Sequence, residues 1–169
     1  MVRAGLIGLI VMLAASRALA VDADRHLGVA SCASSICHGS AKPLEAHTVQ
    51  QNEYVTWMHF DPHAEAYRTL LDERSVAIAR RLGIGAAHEA KLCLDCHTDN
   101  KAPAQRGPRF QLSDGIGCEA CHGGSEAWIA RHDDSPPVPR RELARLGLYR
   151  GDDPQQRAAL CVTCHVGAG

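Results

Sequence analysis

Aromatic residues are scarce in this chain. Its 169 residues include two Phe, two Trp and three Tyr. A domain of this size ordinarily fills its core with more aromatic surface, so either the core is weak or something other than side chains fills it. Methionine is nearly absent as well, and beyond the N-terminal segment only Met58 remains. There is no excess of either charge, with 18 Lys and Arg against 19 Asp and Glu, which argues against a nucleic-acid partner and against an acidic disordered tail. No apolar run reaches the roughly 20 residues that a membrane-spanning helix needs. Nor does any stretch alternate apolar and polar residues convincingly, so strands should be few and the chain mainly α.

The first twenty residues form a distinct unit. Arg3 supplies a short positive start, Ala4 to Ala15 is uncharged and mostly apolar, and Ala18-Leu19-Ala20 is a small-x-small cleavage site. This is the pattern of a secretory signal peptide over residues 1–20, cleaved after Ala20. It places the mature chain, residues 21–169, in the periplasm. Losing Arg3 and Arg17 leaves 16 basic against 19 acidic residues, a net charge of −3.

What the chain has in abundance is cysteine and histidine, eight and ten respectively. The cysteines fall into four close pairs: Cys32 with Cys37, Cys93 with Cys96, Cys118 with Cys121, and Cys161 with Cys164. Each pair is followed directly by histidine, at His38, His97, His122 and His165. With His at about 6% of positions, four such placements by chance are on the order of one in 10⁵, and Cys-x-x-Cys-His is the attachment string of c-type haem. The chemistry accounts for the spacing. Two sulfurs on one helical turn reach two vinyl groups along one porphyrin edge and form thioethers, and the adjacent His sits under the ring as the proximal ligand. Zinc ribbons would pair the four strings into two sites and leave every His unused. A disulfide framework needs no His, and a thioredoxin-like site needs one pair. The first string departs from the others, because four residues separate Cys32 from Cys37; its Cys-His end copies the rest, which favours haem over a local disulfide.

Four haem c groups also answer the question of the core. About 149 mature residues leave about 37 per haem, too few for four separately packed domains. The expected fold is a compact, mainly α multihaem cytochrome whose core is formed by closely packed, stacked haems. The coarse reading places a helix from Asp61-Pro62 to Gly83, another from Ala86 to His97, a turn from Ser125 through Trp128 to His132, a short helix over Glu142 to Leu146, and a last helix opened by Asp153-Pro154 that delivers Cys161 to His165.

Six histidines remain as candidates for the distal positions. His63 is the best on local grounds: it shares a face with Tyr67 and lies in a first helical turn, where the dipole disfavours imidazolium. His132 follows Trp128 by four residues. His47 has weaker context. His88 lies eight residues before Cys96 and would reach a neighbouring haem rather than its own. His59 and His26 read as solvent-exposed.

The order of these features resembles the tetrahaem cytochrome c554 family. The resemblance runs from Cys32 to His165: Trp57 with Asp61-Pro62-His63-Ala64, then Cys93-Leu-Asp-Cys96-His97, then Gly115-Ile-Gly-Cys118-Glu-Ala-Cys121-His122-Gly-Gly, then His132. Gly-x-Gly-Cys-Glu-x-Cys-His-Gly is its most specific part. The resemblance implies a mainly helical periplasmic electron carrier with haems in stacked pairs. It implies that His132 ligates the first haem opposite His38, that His63 ligates the third opposite His122, and that the second haem, on His97, is five-coordinate. Three departures stand against it: the longer first string, the absence of counterparts for His47 and His88, and the four residues that follow His165. In the family the fourth distal His comes after its motif. Here the fourth iron would take an upstream His, water or a ligand from another chain, unless this is a shorter form of a longer cytochrome.

Two function classes stay open. One is an electron carrier that docks redox partner proteins at an exposed haem edge. The other is a redox enzyme that binds nitric oxide, hydroxylamine or nitrite at an open iron. No dedicated catalytic constellation is visible, and Arg106, Arg109 and His59 read as surface residues, so the carrier is favoured. A third reading is a haem subunit of a larger membrane-associated or periplasmic electron-transfer complex.

Overall fold

The computed structural model describes residues 25–46, 49–149 and 151–166. Residues 1–20, read above as a signal peptide, and His47 lie outside the described residues. Within them the chain forms six α-helices and five short 3-10 helices, and its only extended pairing is an isolated bridge between His26 and Arg106. The α-helices are α1 (Glu53–Phe60), α2 (Glu73–Leu82), α3 (Lys91–His97), α4 (Cys118–His122), α5 (Arg140–Arg145) and α6 (Pro154–His165). The mainly helical class expected from the sequence is the one observed. Among the described residues no helix is long and apolar enough to cross a membrane.

Helix ends follow local chemistry. Asp153 accepts from the N–H groups of Gln155 and Gln156 at 2.9 and 3.3 Å, and Pro154 needs no partner at the first helical position, so α6 starts where the sequence predicts. Arg80 and Arg81 end α2 against the negative end of its dipole, and Gly83 closes it in the left-handed region at φ 66°.

The long helix expected from Asp61 to Gly83 is instead three pieces. Two 3-10 turns, Pro62–Glu65 and Arg68–Leu71, precede α2, and Asp72 between them and α2 is extended at ψ 152°. The physical reason lies at Ala66. Its carbonyl accepts from Thr69 Oγ1 at 2.8 Å and is bonded to His97 Nδ1 at 2.9 Å, so it serves side chains rather than a helical ladder. The break folds α2 back, and Leu70 and Ala79 meet Ala87 and Leu94 in a small cluster edged by Tyr67, Ile84 and Cys93. α3 is likewise shorter than expected, since residues 87–89 form a turn before it.

The protein's own core is thin. Seven apolar residues are buried among the described residues: Val29, Leu70, Ala79, Ala87, Leu94, Trp128 and Leu143. Twelve large apolar residues among those described are exposed, and several flank the cysteine pairs: Ile36 (81%), Leu92 (67%), Val162 (47%) and Val166 (77%). Apolar surface left open beside the cysteines is surface for something else to cover.

The N-terminal segment is held by long-range polar contacts. His26 donates its backbone N–H to Gln105 at 2.8 Å and accepts from Gly107 at 2.7 Å. Gly28 sits at φ 93°, where a Cβ would lie 2.3 Å from the Arg109 carbonyl oxygen, so this crossing requires glycine. Beneath it is a cavity of about 10 Å³, room for about one water, lined in part by Val29, Asp99, Asp114 and Glu119. Burial raises the Asp114 carboxyl above the usual Asp range. A raised acid pKa means that the folded state holds its proton more tightly, so stability is lost as pH climbs through that range. Asp114→Asn should therefore raise the melting temperature at neutral pH and have no effect in acid. The gain should stay below about 1 kcal/mol, because the group is partly solvated. Melting curves at both pH values check this, and equal shifts at both would contradict it.

Candidate haem sites

The four cysteine pairs are carried in two ways. α3, α4 and the end of α6 present the second, third and fourth pairs with their histidines on single helical segments. The first pair follows the 3-10 turn Val29–Ser31, and its longer loop closes by turns: Cys37 N–H donates to Ser34 O at 2.9 Å and His38 N–H to Cys32 O at 3.2 Å. The extra two residues are thus absorbed, and His38 still follows Cys37 beside Cys32. None of the eight cysteines, all of them described, forms a disulfide.

The sites lie beside one another across the sequence. Cys32 is hydrogen-bonded to Cys118, a bond that raises the Cys32 thiol and lowers that of Cys118. Burial and then the neighbouring Cys164 raise Cys96, and α3 packs on α6. Burial pushes the Cys121 thiol up, and Cys161 is its next influence. The spatial order of the pairs is therefore first, third, fourth, second.

Most of the histidines are oriented through Nδ1. His38 Nδ1 meets Glu53 Oε2 at 2.9 Å, His97 meets Ala66 O at 2.9 Å and Thr69 Oγ1 at 3.0 Å, and His122 meets Tyr149 O at 3.1 Å. Among the distal candidates, His132 meets Ile129 O at 2.6 Å and His63 meets Asp61 Oδ1 at 2.9 Å. An acceptor on Nδ1 fixes the tautomer with the proton there and turns Nε2 outward as the free lone pair, the usual arrangement behind a metal-binding imidazole. Burial alone would raise the Glu53 carboxyl, but the hydrogen bonds from His38 and from the backbone of Glu53 and Gln50 outweigh it and hold Glu53 below the usual range, hence as an anion.

Two ring pairs stand out. His38 and His132 have centroids 6.2 Å apart with planes 18° from parallel; His63 and His165 are 6.0 Å apart at 80°. Trp128, buried, stands edge-on to His132 at 5.5 Å. The structure thus brings His132 to His38, the pair that the family resemblance suggests. It sets His63 against His165 rather than His122. His88 lies partly exposed with Nε2 3.8 Å from Glu89, and His59 is exposed beside Phe60.

His26 corrects the sequence reading. It is 1% exposed, not solvent-facing, and its Nδ1 lies 2.6 Å from Asp99 Oδ2. The partner is 73 residues away, so no local pattern announces the burial. Glu119 is the other residue with an unforeseen role. Buried between the two cysteines of the third pair, its carboxylate accepts from Leu27 N at 2.8 Å, Gly28 N at 2.7 Å, Ser125 N at 2.9 Å and Ser125 Oγ. Its place in the Gly-x-Gly-Cys-Glu string was the available signal.

Paired thiols, histidines oriented through Nδ1, a thin apolar core and open apolar surface beside the first, second and fourth pairs fit covalently bound haem, which makes the chain a multihaem c-type cytochrome. The family comparison agrees. Residues 31–123 match the family of cytochrome c554 and c-prime, and residues 84–168 match that of cytochrome c7 and related cytochrome c. The first match covers more than half of the chain, which belongs to the cytochrome c554 and c-prime family. No curated protein and no solved structure matches it. The chain accordingly carries haem c and serves electron transfer.

Proposed function

We propose that the protein is a periplasmic electron carrier with four haem c groups that passes electrons between redox partner proteins. Each haem supplies a one-electron iron couple; the chain's own residues attach, orient and enclose it. Cys32 and Cys37, Cys93 and Cys96, Cys118 and Cys121, and Cys161 and Cys164 form the thioethers. His38, His97, His122 and His165 would be the proximal ligands, and in the first three the Nδ1 contacts leave Nε2 free for iron. His132 is the distal ligand opposite His38, with Trp128 and Ile129 O holding its ring. The observation that carries this reading is the contiguity of the four pairs through Cys32–Cys118, Cys121–Cys161 and Cys164–Cys96. Haems attached to these thiols would lie near one another, as electron transfer along a chain of cofactors demands, an arrangement that an isolated substrate site would not need.

The second reading, a redox enzyme for a small nitrogen species, draws on His97. Its proximal side is fixed by Ala66 and Thr69, and none of the ring contacts among the described residues gives it an imidazole partner. One sample decides between them. The matured protein should give four haems per chain by pyridine haemochrome and an EPR spectrum dominated by low-spin iron. Three haems would remove Cys32, Cys37 and His38 from the set. A high-spin signal that changes with nitric oxide or hydroxylamine would put the enzyme reading first.

A further inference from the structure

The histidine of the fourth pair ends α6, and the ring it meets is that of His63. Two imidazoles bound on opposite sides of one metal, at roughly 2 Å per bond, have centroids about 6 Å apart. The His63–His165 separation of 6.0 Å matches that span. The tautomer also fits, because Asp61 Oδ1 takes both the backbone N–H of His63 at 3.0 Å and its Nδ1 at 2.9 Å, leaving Nε2 as the nitrogen for a metal.

Backbone contacts keep His63 in place independently of its ring. Its carbonyl accepts from Ile116 N–H at 3.0 Å, just before the third pair. Gly115 packs so closely there that a Cβ would stand 2.5 Å from His63 O. His63 is thereby pinned where the third pair adjoins α6, and from that position its ring turns to His165.

We propose that His63 is the distal ligand of the iron held by His165, so that the fourth haem is bis-histidine and the third iron draws its distal ligand from elsewhere. This rests on the reading of four attached haems. It assigns the site from contacts in this chain, and it differs from the pairing with His122 that the family resemblance suggests.

The two ring pairs give the test its resolution. Near-parallel imidazole planes, as for His38 and His132 at 18°, split the iron d orbitals that hold the unpaired electron and give a rhombic low-spin EPR signal. Near-perpendicular planes, as for His63 and His165 at 80°, leave those orbitals almost degenerate and give a strongly anisotropic one.

The experiment uses the full, matured, oxidised protein. His63→Gly should keep the haem count of the parent, lose the strongly anisotropic signal and gain one high-spin haem per chain, and added imidazole should restore low spin. In a chain lacking the fourth haem through Cys161→Ala and Cys164→Ala, the anisotropic signal should already be gone, and His63→Gly should add no high-spin iron. If His63→Gly does not accumulate, His63→Met should exchange one bis-histidine signal for a histidine–methionine one, and only when the fourth haem is present. High-spin iron created by His63→Gly in the three-haem background would overturn the proposal and return His63 to the third haem. An anisotropic signal that survives His63→Gly in the four-haem protein would overturn it as well. A parent haem count below four, measured first, would instead mark the failure of the four-haem reading.

Discussion

Glu119→Ala should lower the melting temperature of the matured protein by more than about 10 °C. The carboxylate is buried and serves four donors: the N–H groups of Leu27, Gly28 and Ser125, and the Ser125 hydroxyl. Alanine leaves all four without their acceptor in a cavity with room for about one water. An orphaned buried donor costs about 1–3 kcal/mol, and a single water can serve at most some of them, so a loss of about 3–5 kcal/mol is expected. Glu119→Gln should fall between the two, because its one carbonyl oxygen satisfies part of the set while its NH₂ group faces other donors. Glu126 offers the control. It pairs with Arg25 at 2.9 Å on the same N-terminal segment, with both side chains about one third exposed, and Glu126→Ala should cost less than about 1 kcal/mol. Circular dichroism melts of the three variants test the argument, and equal melting of Glu119→Ala and Glu126→Ala would refute it.

His132→Gly should convert one haem per chain from low to high spin, at unchanged haem content. Its ring lies 6.2 Å from that of His38, nearly parallel, and Ile129 O holds its Nδ1 at 2.6 Å. No other ring contact to His38 occurs among the described residues, so a cavity in place of this imidazole leaves the first iron open. Imidazole added to the solution should refill it, and the rhombic low-spin EPR component should vanish and return with these changes. The supporting residue gives a graded version. Trp128→Leu removes the edge-on indole at 5.5 Å but not the ligand, so it should shift the rhombic signal without creating high-spin iron. If His132→Gly leaves every haem low-spin, His132 is not a ligand.

How much of this is legible before folding depends on how local the cause is. Asp153-Pro154 opens α6 because a cap and its two donors lie within three residues. Gly83 closes α2 because left-handed backbone favours glycine. Three Cys-x-x-Cys-His strings announce haem sites for the same reason, because attachment chemistry favours a fixed spacing, from which the Cys32–Cys37 string departs. What the sequence hides is set by distant partners. The break at Asp72 follows from the use of the Ala66 carbonyl by His97, 31 residues on, and a backbone acceptor leaves no trace in side-chain pattern. His26 is buried because Asp99 awaits it. α1 escapes notice because none of its residues is buried, so it lacks the periodic apolar stripe that marks a helix. Its value is positional: Glu53 at its first turn receives His38 Nδ1, and Tyr54 N–H donates to His38 O at 2.9 Å.

The neighbour order of the cysteine pairs has a consequence for how the molecule is made. A growing chain presents its attachment strings in sequence, first to fourth, but the structure sets the first beside the third, the third beside the fourth and the fourth beside the second. Synthesis order does not set this arrangement: the thiol that neighbours Cys32 belongs to the third string, not to the second. The bonds that fasten this arrangement are equally long-range, with Leu27 reaching Glu119 across 92 residues and Cys164 reaching the Asp95 carbonyl across 69. Closing such loops is slow, because the entropy is lost before the contacts reward it. The unfinished chain therefore stays open, with each string accessible to the machinery that loads it. Thr98 and Asp99 tie the end of the second string to Gly115, but its thiol Cys96 meets Cys164 only when the last string, the one nearest the C-terminus, is in place.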